Sequence, residues 1–340
     1  MPAYLIIVAI IGSFGFSVCA TYLVKRYVEK TGLLDTPNSR SSHSQLTPSG
    51  GGLSMVVTLL LAGAILTATL DKAGILIPVM AAIVLLAITG WMDDRHGLSV
   101  GIRFIVYIIV ALYVIYSLGS FDRFEIGEFS IGLGSFSVLF TIGWIVWLIN
   151  LYNFMDGIDG LAATQSAVAG CTLGIWFTLH KNYVMALFCY VIMAVSLGFL
   201  VWNWAPARIF MGDVGSVTLG GLFAILAVLG QTQHDIPLGA CVLLLGVFIA
   251  DTTVTLLRRA LRGERVWQAH RSHFYQRAVR TGYTHARVTG AAAIIAVVLA
   301  IFATLEMLRV FPQGLWAALS AALLAGTALY IVRKEQHTGA

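Results

Sequence analysis

Residues 184–202 read VMALFCYVIMAVSLGFLVW, a run of nineteen residues without a charged side chain. A helix that crosses a lipid bilayer needs about 20 mostly apolar residues, so this run has the length and composition of a membrane span. The sequence predicts an all-α, polytopic integral membrane protein with about 11 transmembrane helices in one multi-span domain, residues 1–340. The other ten runs cover approximately 3–24, 50–70, 75–92, 102–119, 136–152, 161–178, 214–232, 237–257, 287–308 and 314–332.

The composition excludes several classes of protein. Hydrophobic residues make up 59% of the chain and charged residues only 11%, whereas about a quarter of a soluble domain is charged. The predicted spans leave only short loops, so the chain has no room for a large soluble domain. It is therefore not a secreted disulfide scaffold, a disordered protein or a nucleic-acid-binding module, although its net charge is +5.

Lys and Arg are distributed unevenly between the two sets of loops that an odd number of spans creates. One set, together with the C-terminus, holds seventeen of the 21 basic residues, and the other set holds four. Cytoplasmic loops of membrane proteins carry the excess of Lys and Arg. This bias predicts that the N-terminus lies outside the cell and the C-terminus lies in the cytoplasm.

The most unusual polar residues also lie on the predicted cytoplasmic side. They occupy five segments rich in acids, amides, Gly and Arg: 35–52, 91–103, 150–160, 203–216 and 258–287. We expect these segments to form one active site at the inner membrane surface. A transporter is the alternative from another functional class, but it would place its polar residues near the middle of its spans.

Two of the five segments contain groups of carboxylates. Asp93 and Asp94 end one span, where acidic side chains oppose the helix dipole unless a metal ion or a basic neighbour offsets them. A solvated helix end is the alternative there. Asn153, Asp156 and Asp159 recur at intervals of three residues, a spacing that places them on one face of a helix. The two glycines in the same stretch indicate a turn equally well, and in both cases the carboxylates converge.

The later segments add one more carboxylate and a group of cationic donors. Asp213 lies among glycines and either caps the next span or marks a place where a bulky anion and its metal approach the backbone. His270, Arg271 and His273 form a denser group of donors than membrane anchoring requires. Such donors suit phosphate, which Arg binds in bidentate fashion.

Two further acidic residues have a basic residue near them in sequence. Asp251 and Glu29 lie near predicted cytoplasmic span ends, close in sequence to Arg258 and Lys25. Opposite charges on neighbouring turns of a helix commonly pair. We therefore interpret both acids as local charge partners.

Several carboxylates that face Arg and His, without a thiolate cluster, indicate a hard divalent ion, Mg²⁺ or Mn²⁺, in preference to zinc. Such an ion usually serves phosphate chemistry. The first loop adds Arg40, His43, several hydroxyls and the glycines 50–52, and a flexible connector is the alternative interpretation. A reaction between a water-soluble phosphate donor and a lipid-borne acceptor would use both the loops and the apolar surface beside them.

Four motifs in one order carry a resemblance to a known family. They are the pair Asp93-Asp94, NLYNFMDGIDGL at 150–161, FMGDVGS at 210–216 and HRSHFYQR at 270–277. Together they resemble the polyprenyl-phosphate N-acetylhexosamine-1-phosphate transferases. The first loop, DTPNSRSSHSQLTPSGGG at 35–52, is similar to the branch that initiates O-antigen and related surface polysaccharides.

The resemblance implies transfer of an N-acetylated sugar 1-phosphate from a UDP-sugar to undecaprenyl phosphate at the bacterial inner membrane, with release of UMP. It also implies a requirement for Mg²⁺ and a homodimer. The catalytic residues that it implies are Asp93, Asp94, Asp156 and Asp159, and the metal ligands are Asp213 and Asp94. The substrate-binding residues that it implies are Asn153, His270, Arg271, His273, Arg103, Arg40 and His43.

Three related chemistries are alternatives. The peptidoglycan branch of the family, which transfers phospho-N-acetylmuramoyl-pentapeptide, has three consecutive histidines where this chain has His-Arg-Ser-His at 270–273. An intramembrane prenyltransferase needs a second Asp-rich motif with wider spacing than Asp93-Asp94. A CDP-alcohol phosphotransferase needs an Arg shortly after Asp159 and a further Asp pair, and neither is present.

Overall fold

A computed structural model of the chain describes residues 3–31, 34–35, 46–71, 73–126, 129–266, 270–310 and 314–338. The predicted site residues Arg40 and His43 lie outside the described residues. The described helices are α1 (Ala3–Thr31), α2 (Gly52–Thr69), α3 (Leu76–His96), α4 (Val100–Leu118), α5 (Ser137–Met155), α6 (Leu161–Leu179), α7 (Tyr183–Asn203), α8 (Asp213–His234), α9 (Leu238–Leu244), α10 (Gly246–Leu261), α11 (Phe274–Arg280), α12 (His285–Met307) and α13 (Leu315–Thr338). The described strands are β1 (Leu34–Asp35), β2 (Thr47–Pro48), β3 (Arg123–Ile126) and β4 (Phe129–Gly132).

The prediction of an all-α, polytopic membrane protein is confirmed. Nine of the described helices are long and apolar enough to cross a membrane, and α9 with α10 makes a tenth span if the pair is counted as one. Helix α6 coincides with the predicted span 161–178 but is not among these ten, because Thr164, Gln165 and Ser166 lower its hydropathy. The count of 11 spans and the orientation of the termini stay predictions.

The predicted span over 237–257 is not one straight helix. Helix α9 ends at Leu244, α10 begins at Gly246, and the two helix axes differ by 83°. The two sides of α10 differ in character, since Asp251 is buried and Leu257 is 57% exposed. The bend lays the polar side of α10 against α5, α11, α12 and α13. These contacts give the polar groups of α10 partners, without which they would be costly in lipid.

Helix α8 lies at the centre of the bundle, and 94% of its apolar window is buried by the rest of the protein. Helices α3 and α5 pack against it. A Cβ atom at Gly220 of α8 would lie 2.6 Å from the carbonyl oxygen of Leu148 in α5, so only glycine permits this approach. Close contact between small residues favours helix packing in a bilayer. The packing places Asp213, the first residue of α8, beside the ends of α3 and α5.

Two short pairs of strands, one around the first loop and one between α4 and α5, were not part of the all-helical prediction. Strand β1 pairs with β2, and β3 pairs with β4 between α4 and α5. The carbonyl oxygen of Pro48 accepts from the N–H of Phe210 at 2.8 Å. This bond fixes the glycine stretch 50–52 against the segment before α8.

At the end of α1, Glu29 pairs with Lys25 at 2.5 Å, which confirms the prediction that Glu29 is a local charge partner.

Candidate active site

Asp94 connects the C-terminal end of α3 to the start of α8. Its Oδ1 accepts from the backbone N–H of Asp213 at 2.8 Å, and its Oδ2 accepts from the N–H of Val214 at 3.1 Å. The first N–H groups of a helix have no partner within the helix and form the positive end of its dipole, so a carboxylate is stabilised there. Gly212 permits the contact, because its φ is +73° and a Cβ would lie 2.8 Å from Oδ2 of Asp94.

Asp93 binds the basic neighbour that the sequence analysis anticipated. Its Oδ1 accepts from the N–H of Leu98 at 2.7 Å, and its Oδ2 accepts from Nη1 of Arg103 at 2.7 Å. The Asp93 side chain is only 9% exposed, so this ion pair is largely removed from water. The same guanidinium lies 3.9 Å from Oδ2 of Asp213. Arg103 therefore bridges two carboxylates that belong to different spans.

The end of α5 contributes an amide and a carboxylate. Nδ2 of Asn153 donates to Oδ1 of Asp213 at 2.7 Å and to Oγ of Ser216 at 3.1 Å. Helix α5 ends at Met155, and residues 156–160 form the connection to α6. The turn interpretation of this stretch is thus correct, and Asn153, Asp156 and Asp159 do not share a helix face.

Asp156 lies in a strongly negative environment directly after α5. Burial raises the pKa of its carboxyl well above the ordinary value, and the charges on Asp213, Asp94 and Asp159 raise it further. Like charges brought together in a partly desolvated site disfavour ionisation unless a cation compensates them. The geometry therefore creates a demand for positive charge beyond that of Arg103.

Asp159 makes its contacts with other segments. Its Oδ2 accepts from the N–H of Ala207 at 3.1 Å, and its Oδ1 lies 3.2 Å from Nδ1 of His285. Its backbone carbonyl accepts from Oγ1 of Thr289 at 2.7 Å. These bonds tie the 156–160 turn to the segment before α8 and to the start of α12. His285 was not predicted as a site residue, and its only signal in the sequence is its place near the end of the basic segment 258–287.

The glycines of the first loop pack against the backbone that precedes α8. The N–H groups of residues 51 and 52 donate to the carbonyls of residues 210 and 211 at 2.9 and 2.8 Å. A Cβ at Gly52 would lie 2.5 Å from the backbone nitrogen of Gly215. Asp94 and Gly52 lie against Gly212 and Gly215, so these glycines permit close contacts within the protein, and the approach of an anion stays a prediction.

Asp251 fixes the start of α11. Its Oδ1 contacts Nδ1 of His273 at 3.0 Å and accepts from the N–H of Phe274 at 2.9 Å, and its Oδ2 accepts from the N–H of Tyr275 at 3.0 Å. The interpretation of Asp251 as a charge partner of Arg258 is therefore wrong. A buried carboxylate at the N-terminus of a short helix holds both the helix and the histidine ring in place.

The rings of His270 and His273 lie together, with centroids 4.8 Å apart. Burial, followed by the charges on His273 and Arg259, lowers the pKa of His270 to about 4, so His270 is neutral at neutral pH. The Tyr275 hydroxyl donates to the carbonyl oxygen of Phe154 at 3.0 Å. This bond joins the His270–Tyr275 segment to the end of α5, which adjoins Asp156. Tyr275 lies within the HRSHFYQR motif but was not predicted as a site residue.

The described structure thus separates the predicted residues into groups. The α8 group surrounds the start of α8 and comprises Asp93, Asp94, Arg103, Asn153, Asp156 and Asp213. The α11 group precedes α11 and comprises His270, Arg271 and His273, of which Arg271 lines a cavity with arginines of α10 and α11. Asp159 lies on the connection between α5 and α6. Their catalytic, metal and substrate roles stay predictions.

Comparison with known proteins gives the chain a family. Residues 76–231 match the family described as Glycosyl transferase family 4. The chain is 33% identical over 287 residues to a "Probable undecaprenyl-phosphate N-acetylglucosaminyl 1-phosphate transferase" of Bacillus subtilis, a match that covers 82% of this chain and 79% of the relative. The chain belongs to glycosyl transferase family 4.

Other relatives in family 4 differ in the sugar that their names contain. An "Undecaprenyl-phosphate alpha-N-acetylglucosaminyl 1-phosphate transferase" of Yersinia pestis is 29% identical over 326 residues, covering 92% of this chain and 87% of the relative. A "Phospho-N-acetylmuramoyl-pentapeptide-transferase" of Listeria monocytogenes is 28% identical over 212 residues, covering 57% of this chain and 64% of the relative. The matched family region contains every member of the α8 group.

The donor set of this family 4 chain is compatible with Mg²⁺. In the described ranges, no three or more His, Cys, Asp or Glu side chains converge as a closed metal cage. Mg²⁺ does not need such a cage, because it usually binds one or two carboxylates together with water and substrate phosphates. Asp213 and Asp156 supply two mutually repelling carboxylates. Both oxygens of Asp94 already accept backbone N–H groups, which favours a positioning role for that residue.

Proposed function

We propose that this chain transfers an N-acetylhexosamine 1-phosphate from a UDP-sugar to undecaprenyl phosphate at the cytoplasmic face of the bacterial inner membrane and releases UMP. The names of the relatives support this proposal. The observation that carries it is the α8 group, in which the ends of α3 and α5 bring three carboxylates and an amide to Asp213 at the start of α8. Such a site, at the ends of apolar helices, is accessible to a lipid-borne acceptor and a water-soluble donor.

Electrostatic neutralisation is the first task of this site. Two unit negative charges about 4 Å apart repel by roughly 4 kcal/mol at an effective dielectric constant near 20. Arg103, which Asp93 orients, lies beside Asp213 and would bind the acceptor phosphate. Asp213 and Asp156 would hold Mg²⁺ or Mn²⁺, which supplies further positive charge for the donor diphosphate when bound.

The proposed reaction is a direct displacement at phosphorus. An oxygen of the lipid phosphate forms a bond to the sugar-bearing phosphorus, the bond from that phosphorus to the bridging oxygen breaks, and UMP leaves with the electron pair. A phosphomonoester has its second pKa near 6, so the acceptor is already deprotonated at neutral pH. Asp93 and Asp94 therefore position groups and do not need to remove a proton. A labelled sugar phosphate trapped on the protein without acceptor would contradict direct displacement.

The donor proposed is UDP-N-acetylglucosamine, in the initiation of O-antigen or a related surface polysaccharide. The relatives that cover most of the chain carry N-acetylglucosamine in their names. The second candidate is the peptidoglycan donor, which the Listeria monocytogenes relative favours. Residues 270–273 read His-Arg-Ser-His, however, in place of the three consecutive histidines of the peptidoglycan branch.

The test is Mg²⁺-dependent UMP release by the purified protein, with and without undecaprenyl phosphate, over a panel of UDP-N-acetylhexosamines and the muramyl-pentapeptide donor. Asp213→Asn should lower turnover by about 100-fold or more, the typical effect of losing one electrostatic stabiliser. Asp71→Asn is the matched control, since Asp71 is exposed and lies between α2 and α3. Lipid-dependent release that fails in Asp213→Asn alone supports the proposal, and folded protein without release from any donor contradicts it.

The metal and the assembly have separate tests. EDTA should abolish turnover, and excess Mg²⁺ should restore it to the starting rate. The proposed homodimer predicts twice the protomer mass by light scattering in detergent. A monomer with full turnover would contradict the dimer and leave the reaction unaffected.

A further inference from the structure

A cavity of about 280 Å³ lies between the C-terminal half of α10, the segment before α11, α11 itself and the last turns of α13. The charged residues that line it are Arg258, Arg259, Arg262, Arg271, Arg277, Arg280, Glu264 and Glu335. Six guanidinium groups and two carboxylates give the lining a net charge of +4. None of these residues belongs to the α8 group. Thr255 marks the near edge of the cavity, where its hydroxyl donates to Asp251.

The positive-inside bias explains why this segment contains many arginines, but not why six of them meet in one cavity. Arg287 and Arg333 belong to neighbouring helices and do not line it. Like charges gathered in a confined space repel one another strongly. The two glutamates compensate part of the charge, since Glu264 lies 3.2 Å from Arg259 and Glu335 pairs with Arg277. The lining therefore retains an excess of positive charge.

Arg259 supplies a second, independent observation. Its Nη2 donates to the carbonyl oxygen of Arg265 at 3.1 Å, and its Nη1 lies near Glu264. Its Nε is buried and has no hydrogen-bond partner among the described residues. A buried donor without an acceptor is costly, and such groups in native proteins usually contact a water or ligand. An anion in the cavity would supply the acceptor.

We propose that this cavity is a second anion site that binds a phosphate group, carried either by a lipid headgroup or by a free phosphate compound. The guanidinium fork matches two phosphate oxygens, and several arginines around one cavity can satisfy all the oxygens of a phosphate. The volume suits a phosphate or a diphosphate. The position of α10 after the 83° bend, with apolar residues such as Leu257 exposed on its other side, favours the headgroup of an anionic lipid as one source. Arg271 also belongs to the α11 group, and the other five arginines of the lining support an anion site separate from the proposed transfer reaction.

The experiment measures binding and not turnover. Thermal unfolding of the full chain is followed in neutral detergent with increasing inorganic pyrophosphate, and in phosphatidylcholine nanodiscs with and without phosphatidic acid. The double variant Arg258→Gln/Arg262→Gln removes two lining charges. The control Arg287→Gln/Arg333→Gln removes the same charge from exposed positions outside the cavity. Arg259→Lys keeps the charge and removes the buried Nε donor.

We expect the dissociation constant of the effective probe to rise at least about tenfold in Arg258→Gln/Arg262→Gln and in Arg259→Lys, and to stay within twofold in the control. Asp213→Asn should bind like the parent protein, because the α8 group is not involved. A response to pyrophosphate alone identifies a free phosphate compound, and a response to phosphatidic acid alone identifies a headgroup. The proposal is overturned if neither probe raises the unfolding temperature, if the control and the double variant respond alike, or if Asp213→Asn abolishes binding.

Discussion

Replacement of Asp251 by Asn tests how the start of α11 is held. The Asp251 carboxylate is 8% exposed and contacts the His273 ring, two backbone N–H groups and the Thr255 hydroxyl. In Asp251→Asn one oxygen keeps its partners, while the new NH₂ group faces the N–H of Tyr275. A hydrogen bond to a charged acceptor contributes about 1.5–3 kcal/mol, and a buried orphan donor costs about 1–3 kcal/mol. We expect the free energy of unfolding to fall by about 3 kcal/mol.

Graded variants make the test specific to Asp251. Asp251→Leu leaves all of its donors without an acceptor and should cost about 5 kcal/mol. Thr255→Val removes a single 3.2 Å bond to the carboxylate and should cost about 1.5 kcal/mol, the low end for a bond to a charged group. Thr253→Ala, at an exposed position of the same helix, is the control. Unfolding in mixed micelles gives the free energies, and UMP release gives KM for the donor, which should rise as His273 loses its anchor. If Asp251→Asn unfolds within about 0.5 kcal/mol of the parent, the usual effect of a neutral surface change, these contacts do not hold the start of α11.

Three further predictions concern other contacts of the site. Gly90→Ala places a Cβ 2.6 Å from the carbonyl carbon of Asp213 and should destabilise the protein by about 1–3 kcal/mol. Gly101→Ala meets no atom within 4 Å and should be neutral or stabilising by up to about 1 kcal/mol, and thermal unfolding compares the two variants. Arg103→Gln removes the ion pair with Asp93 and should cost about 2 kcal/mol in the same assay, with a raised KM for the lipid acceptor. The pKa of His270 is about 4 in the folded protein, so the unfolded protein binds the proton first as pH falls from about 6.5, and stability falls with pH. Over pH 6.5 to 4, the unfolding temperature should therefore fall less steeply in His270→Gln than in the parent.

The spans could be predicted because burial of an apolar helix in lipid depends on the local sequence alone. What surrounds each helix could not be predicted in this way. The windows of α1 and α8 have mean hydropathies of 2.1 and 1.8, yet 11% of the first and 94% of the second is buried within the protein. Lipid tails and apolar side chains are equivalent solvents for a helix, so hydropathy does not distinguish them. The break after Leu244 was missed for the same reason.

The contacts of the site could be predicted where the two partners are close in sequence. Two acids at a helix C-terminus demand compensation, and Arg103, ten residues after Asp93, supplies part of it. The contact of Asp94 with the start of α8 spans about 120 residues, and that of Asp159 with His285 spans 126. Contacts this far apart in sequence cannot be predicted from the periodicity of the residues. Asp251 was misinterpreted because its neighbours depend on the direction of α10 after the bend.

The central position of α8 has a consequence for how the protein is made. Helices α3 and α5 are synthesised before α8, and the faces that they turn towards it include Leu86 and Ile149. Until the ribosome has delivered α8, those faces must contact lipid or another temporary neighbour. Asp94 meanwhile lacks the N–H groups of Asp213 and Val214. A nascent chain that stops before residue 213 therefore lacks the site although α1–α7 are complete, and the α8 group cannot assemble before α8 is made.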